Sequence, residues 1–170
     1  MLLNTIKIKK QGFTAFILLL VVLFYVNPVN GQKNNALDSL KITLYSGVYG
    51  KDRVDLLNDI SKRYITISID SARVYNNEAD VLSRELKYDA GLALAFLNRG
   101  VIEYYVSNYK SVQSFEDKAL EIFKRIGDER NMARAYGNIA LAYYAQSQYK
   151  TALEYHQKAL DLRKKNNDKE

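Results

Sequence analysis

The stretch that decides the fold is residues 133–170, ARAYGNIALAYYAQSQYKTALEYHQKALDLRKKNNDKE, because the chain carries a related copy forty positions earlier. When residues 93–130 are laid over it, 12 of the 38 pairs are identical. They include Asn98/Asn138, Tyr104/Tyr144, Tyr109/Tyr149, Lys110/Lys150, Lys118/Lys158, Ala119/Ala159 and Leu120/Leu160. A weaker third copy precedes them. The fixed period predicts a repeat architecture with units near 53–92, 93–132 and 133–170.

Each unit is predicted to contain two helices. In the second unit Val112, Ala119 and Phe123 recur at steps that fit one helical face. Gly127 followed by Asp128 gives a helix stop and then an N-cap. The turn inside each unit is marked by a serine, at Ser68, Ser107 and Ser147. The predicted fold class is therefore all-α, an α-solenoid of stacked antiparallel helical hairpins over residues 51–170, after a leading helix and loop in residues 32–50.

Residues 1–31 have the order of a secretory signal peptide. Three lysines precede an apolar run from Phe13 to Val26, which a proline then ends. We expect cleavage between Gly31 and Gln32 and a periplasmic or secreted product. The alternative is an uncleaved inner-membrane anchor, although the run is shorter than the ~20 residues that span a bilayer. In both cases the repeats face away from the cytoplasm, which disfavours DNA, RNA and ATP as natural ligands.

Composition excludes several kinds of chemistry. The chain has no cysteine, which rules out disulfides, zinc–thiolate clusters and thiol catalysis, and its single histidine is His156. Its net charge is +6, with 25 basic and 19 acidic residues, but three of the lysines lie in the leader. That surplus is weak support for nucleic-acid binding. With no glycine-rich phosphate loop and no Ser/His/Asp set, the sequence predicts a non-enzyme without metal or cofactor.

The third unit resembles the tetratricopeptide repeat family. The residues that carry the resemblance are Tyr136, Ile139, Ala140, Tyr143, Tyr149, Ala152, Ala159 and Leu160, which fit the W-x2-L-G-x2-Y core and the positions after it. In the second unit they are Phe96, Gly100, Tyr109, Ala119 and Leu120. A period of forty is similar to the family's 40-residue branch. The resemblance implies a right-handed solenoid that binds a protein or peptide partner in its concave groove without catalysis.

A second resemblance covers the front of the chain. A leader, then Asp38-Ser39-Leu40-Lys41, then Val54-Asp55-Leu56-Leu57-Asn58, is similar to the sensory front ends of Bacteroidota signalling proteins. In those proteins, extracytoplasmic repeats precede a transmembrane helix and a histidine kinase or a DNA-binding regulatory module. This resemblance implies an alternative function, as a truncated sensory front end. A third interpretation is self-association, because no polar capping helix is predicted to cover the C-terminal repeat.

Three asparagines, Asn58, Asn98 and Asn138, occupy equivalent positions in the three units. Stacked repeats bring equivalent residues into a row, and the resemblance places that row in the peptide-binding groove. An amide side chain both donates and accepts, so it can bind any peptide backbone. The alternative is that these amides bond neighbouring helices and serve architecture alone.

Four tyrosines and one arginine complete the predicted binding site. Tyr64, Tyr104 and Tyr144 lie six residues after the asparagines, and Tyr105 adjoins them. They would offer apolar area and hydroxyl groups to a ligand, or else pack between helices. Arg134 would meet an acidic residue or a carboxylate.

A further hypothesis concerns four charged residues of the first two units. Asp59 and Arg63, and Arg99 and Glu103, are four apart on their helices, a spacing that allows ion pairs along one face. Equivalent positions would also set Asp59 beside Arg99 and Arg63 beside Glu103. We therefore expect a four-charge patch that fixes the register between the units.

Overall fold

The computed structural model describes residues 29–166, with side chains from residue 36. It contains seven α-helices: α1 (Val29–Tyr45), α2 (Gly50–Tyr64), α3 (Ile69–Glu85), α4 (Asp89–Tyr105), α5 (Tyr109–Ile126), α6 (Glu129–Ala145) and α7 (Tyr149–Lys165). Residues 29–166 contain no strand, so the prediction of an all-α fold is confirmed. The predicted leader lies outside the described residues except for its last three, with which α1 begins.

Six of the helices form three antiparallel hairpins: hairpin 1 (α2–α3), hairpin 2 (α4–α5) and hairpin 3 (α6–α7). Each helix from α2 onward packs against the next, and α4 also packs against both α2 and α6. Between the second helices, α3, α5 and α7, no comparable contact is formed in the described part of the chain. The first helices therefore lie side by side on one face of the stack, and the second helices diverge on the other.

Four of the five joints between these helices use the same left-handed turn. The residues with positive φ are Lys87, Ser107, Gly127 and Ser147, spaced twenty apart. At Gly127 the amide of Asp128 donates to Phe123 O (2.9 Å), as in a Schellman motif, and Asp128 then caps α6 by accepting from Asn131 N (3.0 Å). The predicted stop and N-cap at residues 127 and 128 are confirmed.

The joint between α2 and α3 is built differently. The amides of Ile67 and Ser68 both donate to Tyr64 O, and Ser68 Oγ accepts from Ser71 N (3.3 Å) to cap α3. Isoleucine stands twenty residues before Lys87, where the left-handed conformation would be needed. A β-branched side chain disfavours that conformation, and the amides of Ile67 and Ser68 return to Tyr64 O instead.

Apolar burial joins neighbouring hairpins to each other. The fully buried Leu97 and Phe123 of hairpin 2 share one core cluster with Ala135 of hairpin 3. A smaller cluster unites Ile65 and Ala72 of hairpin 1 with Ile102 of hairpin 2. Neither cluster belongs to a single hairpin, so each hairpin depends on its neighbour for its core, as repeat proteins do.

The within-helix half of the predicted charge patch is present. Asp59 pairs with Arg63 (3.3 Å), and Arg99 pairs with Glu103 (2.9 Å). The cross-hairpin half is wrong: among the described side chains no ion pair joins Asp59 to Arg99 or Arg63 to Glu103.

The reason is that Arg99 and Glu103 are engaged within their own hairpin or with hairpin 1's second helix. Arg99 lies over the ring of Phe115 (5.6 Å to the centroid) and reaches Asn77 Oδ1 (3.4 Å) on α3. Glu103 is buried and accepts a second hydrogen bond from Asn108 (2.8 Å). The two ion pairs therefore do not face each other, although they occupy equivalent positions in the sequence.

Candidate functional site

The side-by-side first helices enclose a small cavity to which all three hairpins contribute. Its volume is about 180 Å³, and we refer to it as the groove cavity. It is lined by Asp55, Asn58, Asp59 and Lys62 of α2, Leu94 and Asn98 of α4, and Arg134 of α6. The structure thus brings together three of the predicted site residues, Asn58, Asn98 and Arg134.

Asn58 and Asn98 form a buried hydrogen-bond ladder between hairpins 1 and 2. Asn58 Nδ2 donates to Gly91 O (3.0 Å), and Asn98 Nδ2 donates to Asn58 O (2.9 Å). Each side chain is only 4% exposed. These are the contacts that the architectural alternative describes, and they leave the amide nitrogens occupied. The oxygen Asn98 Oδ1 accepts no hydrogen bond from the described residues.

Asn138, the third asparagine, has a different partner. Its Nδ2 donates to Glu116 Oε1 (2.8 Å) on α5, and it is half-buried. It does not line the groove cavity. The row of equivalent asparagines is therefore divided between a ladder in hairpins 1 and 2 and a side-chain pair in hairpins 2 and 3.

Glu116 is a fully buried carboxyl group at the junction of α4, α5 and α6. Its second oxygen, Oε2, has no hydrogen-bond partner among the described residues. A Cβ at Gly100 would collide with Oε1 and Cδ of Glu116, so glycine leaves room for this side chain in its present position. Burial raises the pKa of Glu116 well above its usual value, against the lowering effects of the hydrogen bond from Asn138 and the charge of Arg134.

Arg134 forms the α6 side of the groove cavity. It is half-buried, and its Nη1 donates to Asn131 Oδ1 (2.6 Å). Burial lowers the pKa of Arg134, and the neighbouring Glu116 opposes that shift. A guanidinium has five N–H donors, so donors remain for a ligand after the contact with Asn131.

The predicted tyrosines do not enter the groove cavity. They are Tyr64, Tyr104, Tyr105 and Tyr144. Tyr64 stacks on Tyr75 of its own hairpin (5.5 Å between centroids), and Tyr104 packs against Tyr109 (5.7 Å). Tyr105 and Tyr144 are more than half exposed. The first two therefore contribute to packing, and the last two are accessible at the C-terminal ends of α4 and α6.

Sequence reasoning missed four residues that line the cavity: Asp55, Asp59, Lys62 and Leu94. The three on α2 follow the steps i, i+4 and i+7 and so share a helical face with the groove. That spacing was the signal by which these three residues could have been predicted to line the groove. Asp55 Oδ2 accepts from the hydroxyl of Tyr88 (3.2 Å). Burial is the main cause that raises the pKa of Asp55.

The outer face of α7 is apolar and exposed. Leu153 is 68% exposed and Leu160 is 42% exposed, and His156 between them is exposed as well. Gln113 and Glu116, which stand forty residues before Leu153 and His156, are covered by α6. Gln113 accepts from the hydroxyl of Tyr143 (2.7 Å), and Glu116 is fully buried. His156 stands at the position equivalent to the buried Glu116, yet it is exposed in hairpin 3.

Fold and site together define a helical-repeat protein with a polar groove on its first helices. In agreement, residues 91–165, nearly all of hairpins 2 and 3, match the tetratricopeptide repeat family. Among curated proteins, no sequence matches the chain. Tetratricopeptide repeats generally mediate protein–protein interaction, and their fold is typically a non-catalytic scaffold.

Among the described residues, no group of three His, Cys, Asp or Glu side chains could hold a metal ion. Within the same residues, no helix combines the length and the apolar character needed to cross a membrane.

Proposed function

We propose that the protein is a non-catalytic, periplasm-facing module that binds an extended segment of a partner protein in the groove across α2, α4 and α6. The observation that carries the proposal is the groove cavity, which is lined by side chains from three separate hairpins. A segment lying across these helices would contact all three at once. Tetratricopeptide repeats commonly act in this general way, as binding surfaces for other proteins.

The groups that can make the contacts differ in chemistry. Asn98 Oδ1 can accept a backbone N–H of the segment, while Lys62 and Arg134 can donate to its carbonyl or carboxylate oxygens. Leu94 supplies apolar area between them. This arrangement binds an extended chain through its backbone and adds selectivity through charge.

Arg134→Ala should reduce binding at least about tenfold, since removing a central charged anchor of an interface typically costs more than ~1 kcal/mol. The measurement is fluorescence anisotropy with an array of acetylated, amidated ten-residue peptides, using those that bind the unaltered protein. Because the hydrogen bond that Arg134 donates among the described residues goes to the neutral Asn131, its loss should leave the melting temperature within a few degrees.

The matched control is Lys110→Ala, which removes an exposed positive charge outside the groove cavity. Equal affinity of both variants and the unaltered protein would contradict the proposal. Asn98→Ala is unsuitable as the test, because a buried hydrogen bond to Asn58 would be lost and the fold weakened by about 1 kcal/mol.

The periplasmic location, the sensory role and self-association rest on other features. The location rests on residues 1–31, and the sensory alternative rests on the patterns at 38–41 and 54–58. Self-association would use the exposed outer face of α7.

The mass of the native product in fractionated cells separates the first two proposals. A periplasmic band that falls below 19.5 kDa by the mass of the 31 leader residues is expected for a free-standing module whose leader is cleaved. A much larger, membrane-bound band would overturn that expectation and support the sensory alternative.

A further inference from the structure

The two sides of the groove differ in charge, and this difference indicates what kind of segment fits there. On α2, Asp52, Asp55 and Asp59 follow the steps i, i+3 and i+7 and so share one face. We refer to these three residues as the acidic wall. On α6, Arg130 and Arg134 are four apart and form the basic wall.

The charges within each wall lie close enough to affect one another. Besides burial, the charge of Asp52 raises the pKa of Asp55. Besides burial, the charge of Arg130 lowers the pKa of Arg134. Each wall thus carries like charges that an oppositely charged ligand would relieve.

The acidic wall is only weakly neutralised within the fold. Asp55 is bonded by the neutral hydroxyl of Tyr88. Asp59 pairs with Arg63, but both side chains are nearly half exposed, and such pairs are weak. Lys62 contributes one positive charge at the edge of the cavity, a turn beyond Asp59.

Among the described residues Arg134 forms no ion pair either, although the charges of Glu116 and Asp128 act on it. Its hydrogen-bond partner, Asn131, is neutral. The nearest buried carboxyl, Glu116, has a pKa raised well above its usual value by burial, which favours its uncharged form. Arg134 therefore keeps a positive charge that faces the cavity opposite two carboxylates.

We propose that the groove selects dipolar segments, with a basic side chain over Asp55 and Asp59 and an acidic side chain over Arg134. This inference rests on the proposed function and specifies the class of partner. Adjacent packed helices lie about 8–10 Å apart, so α2 and α6 are separated by about 16–20 Å. An extended chain rises about 3.3 Å per residue, which sets the two charges about five to six residues apart. Leu94 favours small apolar residues between them.

Four acetylated, amidated ten-residue peptides test the selection. In the first, one lysine and one glutamate are separated by four alanines. The second and third carry two lysines or two glutamates at those positions, and the fourth carries lysine and glutamate side by side. Measured by fluorescence anisotropy at low salt, the first should bind at least about tenfold tighter than the others, because it alone matches both walls.

Charge reversal in the protein supplies the decisive comparison. Arg134→Glu should invert the preference, so that the peptide with two lysines binds at least about tenfold tighter than the first peptide. The matched control, Lys110→Glu, changes the net charge equally outside the groove and should keep the original order. A second variant, Asp55→Asn with Asp59→Asn, should abolish the advantage of lysine and provides the test if Arg134→Glu fails to fold.

The outcomes separate this inference from the proposed function. Equal binding of all four peptides would overturn the dipolar selection while leaving peptide binding intact. If neither these four nor any peptide of the wider array binds, the proposed function itself fails. An unchanged preference in Arg134→Glu would also overturn the inference.

Discussion

Replacing Glu116 with glutamine should stabilise the protein near neutral pH and leave its stability unchanged near pH 4. Glu116 is fully buried, and burial raises its pKa well above the usual value. Glutamine keeps an oxygen that can accept from Asn138 but cannot ionise. At about pH 7.5 we expect a gain of order 1–3 kcal/mol in the free energy of unfolding, because each unit by which folding raises a carboxyl pKa costs about 1.4 kcal/mol of stability above that pKa.

The direction of this pH dependence follows from the pKa of the carboxyl group in the unfolded and in the folded chain. In the unfolded chain Glu116 ionises at the usual pKa of a glutamate, whereas burial in the fold raises that pKa, so it holds its proton to higher pH. Its favourable contribution is therefore complete below the unfolded pKa and is lost as pH rises through the folded pKa. Arg134 and Asn138 of α6 and Asp117 of α5 are the other groups that act on it, and Gly100 of α4 closes the site.

Urea denaturation at a series of pH values from about 4 to 8 provides the measurement. The difference between the variant and the unaltered protein isolates Glu116, since the other titrating groups are common to both. Glu121→Gln is the matched control on the exposed side of the same helix and should shift stability by less than ~0.5 kcal/mol. A difference that does not change with pH would contradict the prediction.

Phe123→Ala should be the most damaging single substitution in the array. None of the surface of Phe123 is accessible to water. Among the described residues it is the largest fully buried side chain. Truncating a buried phenylalanine typically costs about 3–5 kcal/mol, from lost burial and from the cavity that remains. Because its cluster includes Leu97 of α4 and Ala135 of α6, the loss should loosen the junction between hairpins 2 and 3.

Urea denaturation followed by circular dichroism measures this effect, with Leu153→Ala as the control. Leu153 is mostly exposed, so the same kind of truncation there should cost less than ~0.5 kcal/mol. A loss below about 1 kcal/mol for Phe123→Ala would show that the cluster does not join the hairpins in the way described.

The fold was predictable because periodicity constrains it more than any individual residue does. Gly127 and Asp128 predicted a helix boundary, and the serines at 107 and 147 predicted the turns, all of which the structure contains. Backbone conformation is local, so residue type at a joint carries most of the information. The buried alanines, such as Ala119 and Ala159, were likewise recognisable from their recurrence.

The site was less predictable because a repeat gives position but not environment. Asn98 and Asn138 are equivalent in sequence, yet one bonds a backbone carbonyl and the other a carboxyl group. Glu116 and His156 are also equivalent, and one is buried while the other is exposed. What surrounds a side chain depends on the next hairpin, and a pattern within one hairpin does not contain that information.

The left-handed residues at 87, 107, 127 and 147 have a consequence for how such an array can change in length. The joints at Lys87 and Gly127 precede equivalent first helices and present the same backbone geometry to them. A forty-residue cassette bounded by these two joints could be removed or duplicated without altering the direction in which the chain leaves. The binding surface could therefore lengthen or shorten in whole hairpins, each step adding or deleting one first helix along the groove.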